Sequence, residues 1–167
     1  MTEDADVDLV VRVANKDDLD ELMKLAVHGC DENGFLNPDM GKIASEFWPA
    51  LNGDHGICAV IGKKDGPIEG MVLLRIGQMW YSDQTVVEEK AIFIYPEFRS
   101  AKGGRAARLV EFSKKVADKL DLPLLIGVLS NSRTEAKIRL YTRKLGPPSG
   151  AFFLYKAKTG QFEAKAG

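Results

Sequence analysis

The chain has 167 residues, of which 45% are hydrophobic and 28% charged, with a formal net charge of −1. That length suits a single domain over 1–167, loose at 1–7 and 158–167, and the near-neutral balance gives no global attraction to nucleic acid. No apolar run approaches the ~20 residues a membrane helix needs, and the acidic start MTEDADVD lacks a secretion signal's apolar centre.

Cys30 and Cys58 stand apart, with no C-x-x-C and no histidine cluster. A reduced, cytoplasmic setting without a structural metal is the expectation, with both thiols as small buried hydrophobes. Charge is uneven along the chain. Residues 1–54 hold 13 acids and 4 bases, whereas 55–167 hold 11 acids and 19 bases. One reading is a basic half for a phosphorylated ligand beside an acidic half for a cationic one; solvated helix faces of opposite sign fit equally well.

Residues 8–13 (DLVVRV) read as a first strand. Asn15 caps the next helix, which carries Leu19, Leu22, Met23, Ala26 and Val27 on one face and ends at Gly29 and the polar run 31–34. Asn37-Pro38 is a second helix start, followed by Met40, Ile43, Phe47 and Leu51 at helical spacing, with Pro49 bending the end. Strands at 56–61 and about 68–80 flank the turn cluster 63–67, and Gly77 marks a bulge in the second.

The stretch 85–120 organises the rest. It opens as a strand with Val86, Val87, Ile92, Phe93, Ile94 and Tyr95, which stops at Pro96. It closes as a helix striped by Leu109, Phe112, Val116 and Leu120. Between them, Arg99, Lys102 and Arg105 surround Gly103 and Gly104. A helix N-terminus offers unpaired amides and partial positive charge, glycines let a ligand approach them, and arginine grips phosphate oxygens in pairs, so this turn reads as a diphosphate cradle. An ordinary turn has the same glycines, and neither G-x-G-x-x-G nor G-x-x-x-x-G-K-[ST] is present.

Residues 123–129 (PLLIGVL) form a continuous apolar run, which predicts an interior strand buried on both faces. Residues 131–134 cap a helix striped by Thr134, Ile138, Tyr141 and Leu145 and stopped by Gly146-Pro-Pro148. Residues 151–155 make a last strand. The predicted order is β-α-α-β-β-β-α-β-α-β, a mixed α/β (α+β) domain whose strands at 85 and 123 run parallel through a right-handed crossover.

Over 8–155 this order, with its residues, resembles the GNAT N-acetyltransferase superfamily. One motif is Ile92-Phe-Ile-Tyr-Pro-Glu-Phe-Arg99 with the glycine loop and helix; the other is Asn131-x-Arg-Thr-x-Ala-x-x-x-Leu-Tyr141-x-x-x-Leu-Gly146. The sequence is similar in flavour to short phage-type members. Two departures stand out: Ala101 where the family loop has Arg or Gln, and Pro147 where Phe often follows the helix-ending glycine.

The resemblance implies a mostly antiparallel sheet with two splayed parallel strands and acetyl-CoA as acyl donor. Main-chain groups of Ile92, Phe93 and Ile94 would pair with the pantetheine arm, with Asn131 also touching it. Lys102, Gly103, Gly104, Arg105 and Ala106, beside Arg99, would hold the pyrophosphate. An amine of unspecified kind would attack the thioester directly, with Tyr141 as general acid to the thiolate and Glu88 or Glu89 taking the amine's proton through water.

Each of these residues has an ordinary structural reading too: a helix tyrosine, a helix cap, a solvent-facing strand carboxylate. Glu88 and Glu89 alternate faces, so at most one faces the cleft, and a bulge would swap them. Asp31 and Glu32 fall beside the implied acceptor site. The departure at Ala101 motivates a second reading, a non-catalytic acyl-CoA-binding or structural module on the same fold. No nucleic-acid or membrane partner is expected, and exposed strand edges are compatible with a homodimer.

Overall fold

The computed structural model describes residues 8–99 and 103–156; the expectations for 1–7, Lys102 and 158–167 lie outside the described residues. One sheet of five strands runs in the order β1 (Leu9–Val13), β2 (Gly56–Lys63), β3 (Gly70–Gln78), β4 (Thr85–Ile94) and β5 (Leu124–Leu125). The first three pairings are antiparallel and β4–β5 is parallel. Helices α1 (Leu19–Asn33) and α2 (Met40–Leu51) cover one face, and α3 (Arg105–Leu120) and α4 (Thr134–Leu145) lie on the other.

Strand alternation builds two cores. Cys58, Val60, Met71 and Leu73 pack with Leu22, Leu25 and Phe47, whereas Ala59, Ile61, Val72 and Leu74 pack with Leu109, Val110 and Ala117. The Cys58 thiol is fully buried, and burial pushes its pKa up to about 12, so it behaves as a small hydrophobe.

Local chemistry explains the helix ends. The Asn15 side chain accepts from Asp17 N while Asp18 accepts from Asn15 N, a reciprocal cap on a 3-10 turn that runs straight into α1. α1 continues through Gly29 and stops at the far end of the expected polar run 31–34, at Gly34 in the left-handed region, φ 66°. Gly29 is there for clearance: a Cβ would sit 2.5 Å from the Phe93 ring. α2 starts two residues later than Asn37-Pro38 indicates, because the Asp39 carboxylate accepts from Lys42 N and makes Asp39 the cap.

The bulge lies in β4, not at Gly77. Leu73 faces Ala91 and Leu74 faces Glu89, leaving Lys90 as the extra residue. The helix α3 stripe centres on Leu109, Val110, Ser113 and Ala117, with Phe112 and Val116 flanking it and Leu120 exposed. On α4, Leu140 and Tyr141 pack inward while Ile138 and Leu145 are exposed.

Two strand expectations fail. The run 123–129 is not an interior strand: only Leu124 and Leu125 pair, at the sheet edge, and exposure alternates along the run. Residues 151–155 form no strand, and Phe152, Phe153 and Tyr155 are exposed. Continuous apolarity reports burial only when something covers both faces, and among the described residues nothing pairs on the outer side of β5.

Candidate functional site

Strands β4 and β5 share two register pairs, Val87 with Leu124 and Glu88 with Leu125, supported by Val87 N donating to Pro123 O at 2.8 Å. Past that point they part. The bulge at Lys90 turns β4, and the edge of Ile92, Phe93 and Ile94 opens onto a cleft with about 700 Å³ of empty space, part of it open to solvent. The N-terminus of α3 (Arg105, Ala106), the end of α1 (Gly29, Glu32, Asn33) and the inner side of α4 (Arg133, Lys137, Tyr141) complete its walls.

Gly104 caps α3 with φ 53°, and no side chain caps the helix there. The next main-chain N–H to bond within the helix is that of Arg108, to Gly104 O at 2.9 Å. The first-turn amides are therefore aimed outward beside the cleft, which suits an anion. Gly103 also has positive φ, 115°. Both φ values lie in the region that favours glycine, and at Gly104 crowding plays no part, since a Cβ there would meet only Ala107 at an ordinary 3.7 Å.

The two arginines of this turn are already engaged. Arg105 points inward: its Nε lies 2.7 Å from Glu69 Oε2, its guanidinium sits 5.0 Å from the Phe98 ring centre, and both charged groups are buried. Its side chain therefore anchors α3 to the start of β3, which corrects the sequence reading of a phosphate-gripping arginine; its main chain remains at the helix start. Arg99 faces the cleft but holds Glu32 with two bonds of 2.6 and 2.8 Å, and its Nε donates to Ile94 O at 2.9 Å. Glu32 lies in the last turn of α1, not in a loop.

The bulge settles which glutamate faces inward. Val87 and Glu89 share the α3–α4 face before it, and Ile92 and Ile94 share that face after it. Glu88 lies opposite Arg75 on the other face, 3.4 Å from Lys90 Nζ. Glu89 is not among the cleft-lining residues, although it lies close enough to the lining residues Lys137 and Tyr141 to interact electrostatically with both. Burial pushes its pKa up to about 7, against the opposing effects of a Gly127 N–H and the Lys137 ammonium, with Glu88 adding to the rise.

Tyr141 lines the cleft, and burial, then the Glu89 charge, holds its phenol well above the usual range, so it stays protonated. Lys137, one turn earlier on the same side of α4, also lines the cleft; burial lowers its pKa while Glu89 opposes the shift. Asn131 lies in the bend before α4 and is not among the cleft-lining residues.

Sequence reasoning missed Arg133 and Lys137. Arg133 falls in the cap before α4 and Lys137 one turn into it, and only their positions eight and four residues before Tyr141 would have signalled the cleft.

No family model matches the sequence, and no curated protein matches it. Solved structures do. A possible acetyltransferase from Clostridium difficile 630 is 16% identical with a TM-score of 0.67, covering 89% of this chain and 97% of that one. AAC(6')-Iy, in complex with the bisubstrate analogue CoA-S-monomethyl-acetylneamine, is 18% identical with a TM-score of 0.65, over 90% of this chain and 98% of that one. An integron cassette protein from the mobile metagenome of Cole Harbour Salt Marsh is 23% identical with a TM-score of 0.64, over 88% and 89%. A further match is described as a GNAT family acetyltransferase from Staphylococcus aureus. At these identities the likeness is one of architecture: the chain has the fold of the GNAT acetyltransferases.

Proposed function

We propose that the protein is an N-acetyltransferase that moves an acetyl group from acetyl-CoA to an amine in a ternary complex. The observation that carries this reading is the parting of β4 from β5, which leaves the Ile92–Ile94 edge on a cleft flanked by the α3 amides and Tyr141. An extended amide-containing arm can pair with such an edge, and an anion can sit on such a helix start.

The residues then divide the work. The amides at Arg105 and Ala106 hold the donor's diphosphate, and main-chain groups of Ile92–Ile94 hold its arm. The amine nitrogen attacks the thioester carbon, the C–S bond breaks, the amine's proton passes through water to Glu89, and Tyr141 gives its proton to the departing thiolate. Fixing both reactants in one cleft supplies much of the acceleration. Two of the matched solved structures are complexes of AAC(6')-Iy with CoA or a CoA analogue, which supports the choice of donor.

A second reading, a CoA-binding module without turnover, is favoured by one observation: both described arginines of the turn are already paired to carboxylates. Calorimetric titration with CoA, followed by thiol release from acetyl-CoA over an amine panel, separates the two. Binding with turnover supports the enzyme, binding without turnover on any amine supports the module, and no binding at millimolar CoA overturns both.

A further inference from the structure

The cleft wall carries four cationic side chains, Arg99, Arg105, Arg133 and Lys137, and one carboxylate, Glu32. Arg105 is turned away to Glu69. Three cations therefore surround a lone anion contributed by the opposite wall. Arg99 grips both oxygens of that anion, at 2.6 and 2.8 Å, and the His28 Nε2 lies 3.6 Å from the same carboxylate. The Arg99 guanidinium, chiefly, against the opposing effect of burial, holds the Glu32 carboxyl below its ordinary range, so it is ionised near neutrality.

This geometry matters because Arg99 is tied to the sheet independently of Glu32. Its Nε donates to Ile94 O at the end of β4, so the guanidinium stays beside the cleft whichever anion it holds. The pair is only partly covered, with side-chain exposures of 17% for Arg99 and 29% for Glu32, so it can exchange partners without a buried charge being stranded. A diphosphate bears more charge and more acceptor oxygens than one carboxylate, and guanidinium binds phosphate in the same two-pronged way.

We propose that Glu32 is the carboxylate that recognises a cationic amine acceptor, and that Arg99 masks it until a phosphorylated donor draws the guanidinium away. This rests on the acetyltransferase reading above and deepens it. Glu32 acts as a resident anion in the donor's place. Once released, Glu32 keeps its neighbour His28 and turns its free oxygens to the ammonium of the acceptor. The acceptor class is accordingly a cationic amine bearing at least one ammonium besides the nitrogen that reacts, since the reacting nitrogen must be neutral.

The test is CoA affinity measured by calorimetry for the wild type, Glu32→Gln, Arg99→Met and the double variant, with thermal melts to confirm folding and Glu32→Ala as a second replacement. Removing the resident anion is expected to tighten CoA about three- to fivefold, the range for a partly exposed ion pair. Arg99→Met weakens CoA, and adding Glu32→Gln to it changes nothing further, because the competition runs through Arg99. On any amine the wild type acetylates at saturating acetyl-CoA, Glu32→Gln raises the amine's KM about tenfold or more while kcat changes less, as expected for loss of a charged contact.

Unchanged or weaker CoA binding in both Glu32 variants, with the wild type binding, overturns the exchange and leaves the acetyltransferase reading standing. Absence of CoA binding by the wild type instead overturns that reading itself.

Discussion

Arg105 and Glu69 meet at 2.7 Å inside the protein, their side chains retaining 6% and 5% of full exposure. A cation in the first turn of a helix opposes the helix dipole, so what holds Arg105 there is Glu69 and the Phe98 ring beneath it. Breaking one half strands the other charge. Arg105→Leu is expected to cost about 3–5 kcal/mol in denaturant unfolding. Replacing both together, as Arg105→Met with Glu69→Leu, should cost less than either single change.

Glu89 sets a pH dependence with a definite sign. As the proposed base it must be ionised, so turnover should rise with pH through about 7. Its effect on stability runs the other way. The folded-state pKa lies above the ordinary 4.5, so the folded protein binds the extra proton between those values, and stability contributed by protonated Glu89 falls as pH rises through about 7. Glu89→Gln should abolish the rise in rate and should raise Tm relative to wild type more at pH 8 than at pH 5.

Tyr141 stays protonated across the working range, so it is a standing proton donor at the cleft. Tyr141→Phe keeps the packing and removes the hydroxyl. We expect kcat with any accepted amine to fall about 10²-fold, with CoA affinity by calorimetry changed less than twofold. Equal losses in affinity and rate would instead mark the hydroxyl as a binding group.

Gly29 ties the fold to the cleft. A methyl group there would press to 2.5 Å against Phe93, a residue of the cleft wall. Alanine favours a helix by about 1 kcal/mol over glycine, but overpacking of this kind costs about 1–3 kcal/mol. Gly29→Ala should therefore lower Tm slightly and weaken CoA binding severalfold, whereas Gly41→Ala, on a helix with an open neighbourhood 3.4 Å from Asp39, should not weaken it.

Asp18 predicts the acid limb of stability. It is buried, takes both Arg12 nitrogens at 2.8 Å and accepts from Asn15 N at 2.9 Å. Arg12 is the main reason its carboxyl lies below the ordinary 3.8. A depressed folded-state pKa gives stability that is full above the unfolded value and lost as pH falls through the folded one. Asp18→Asn should flatten the Tm profile below about pH 4 and lower Tm at pH 7.

The periodic parts of this fold were legible. Strands around 56–61 and 85–94, the helix after Gly104 and the pairing of parallel strands through α3 all follow from spacing and turn residues, because each is decided within a few positions. What failed depended on distant partners. Arg99 finds Glu32 67 residues away, and Arg105 finds Glu69 36 residues away. Neither pairing leaves a local pattern, so both cations read as free.

The run at 123–129 looked interior because its apolarity is unbroken, yet exposure alternates along it. Gly29 was grouped with the helix-ending run 31–34 because its purpose, room for Phe93, lies on another element. The cleft residues Arg133 and Lys137 went unseen for the same reason.

The single unmatched residue at Lys90 changes the parity of β4. Were Lys90 paired like its neighbours, odd-numbered side chains would keep one face throughout, and Ala91 and Phe93 rather than Ile92 and Ile94 would follow Glu89. With it, a proton acceptor and a hydrophobic wall come to the same side of one strand, three positions apart. Deleting Lys90 would therefore remove the bulge yet leave Ile92 and Ile94 on the α3–α4 face and Phe93 beside Gly29, so the strand could be straightened without exchanging the contents of the two cores.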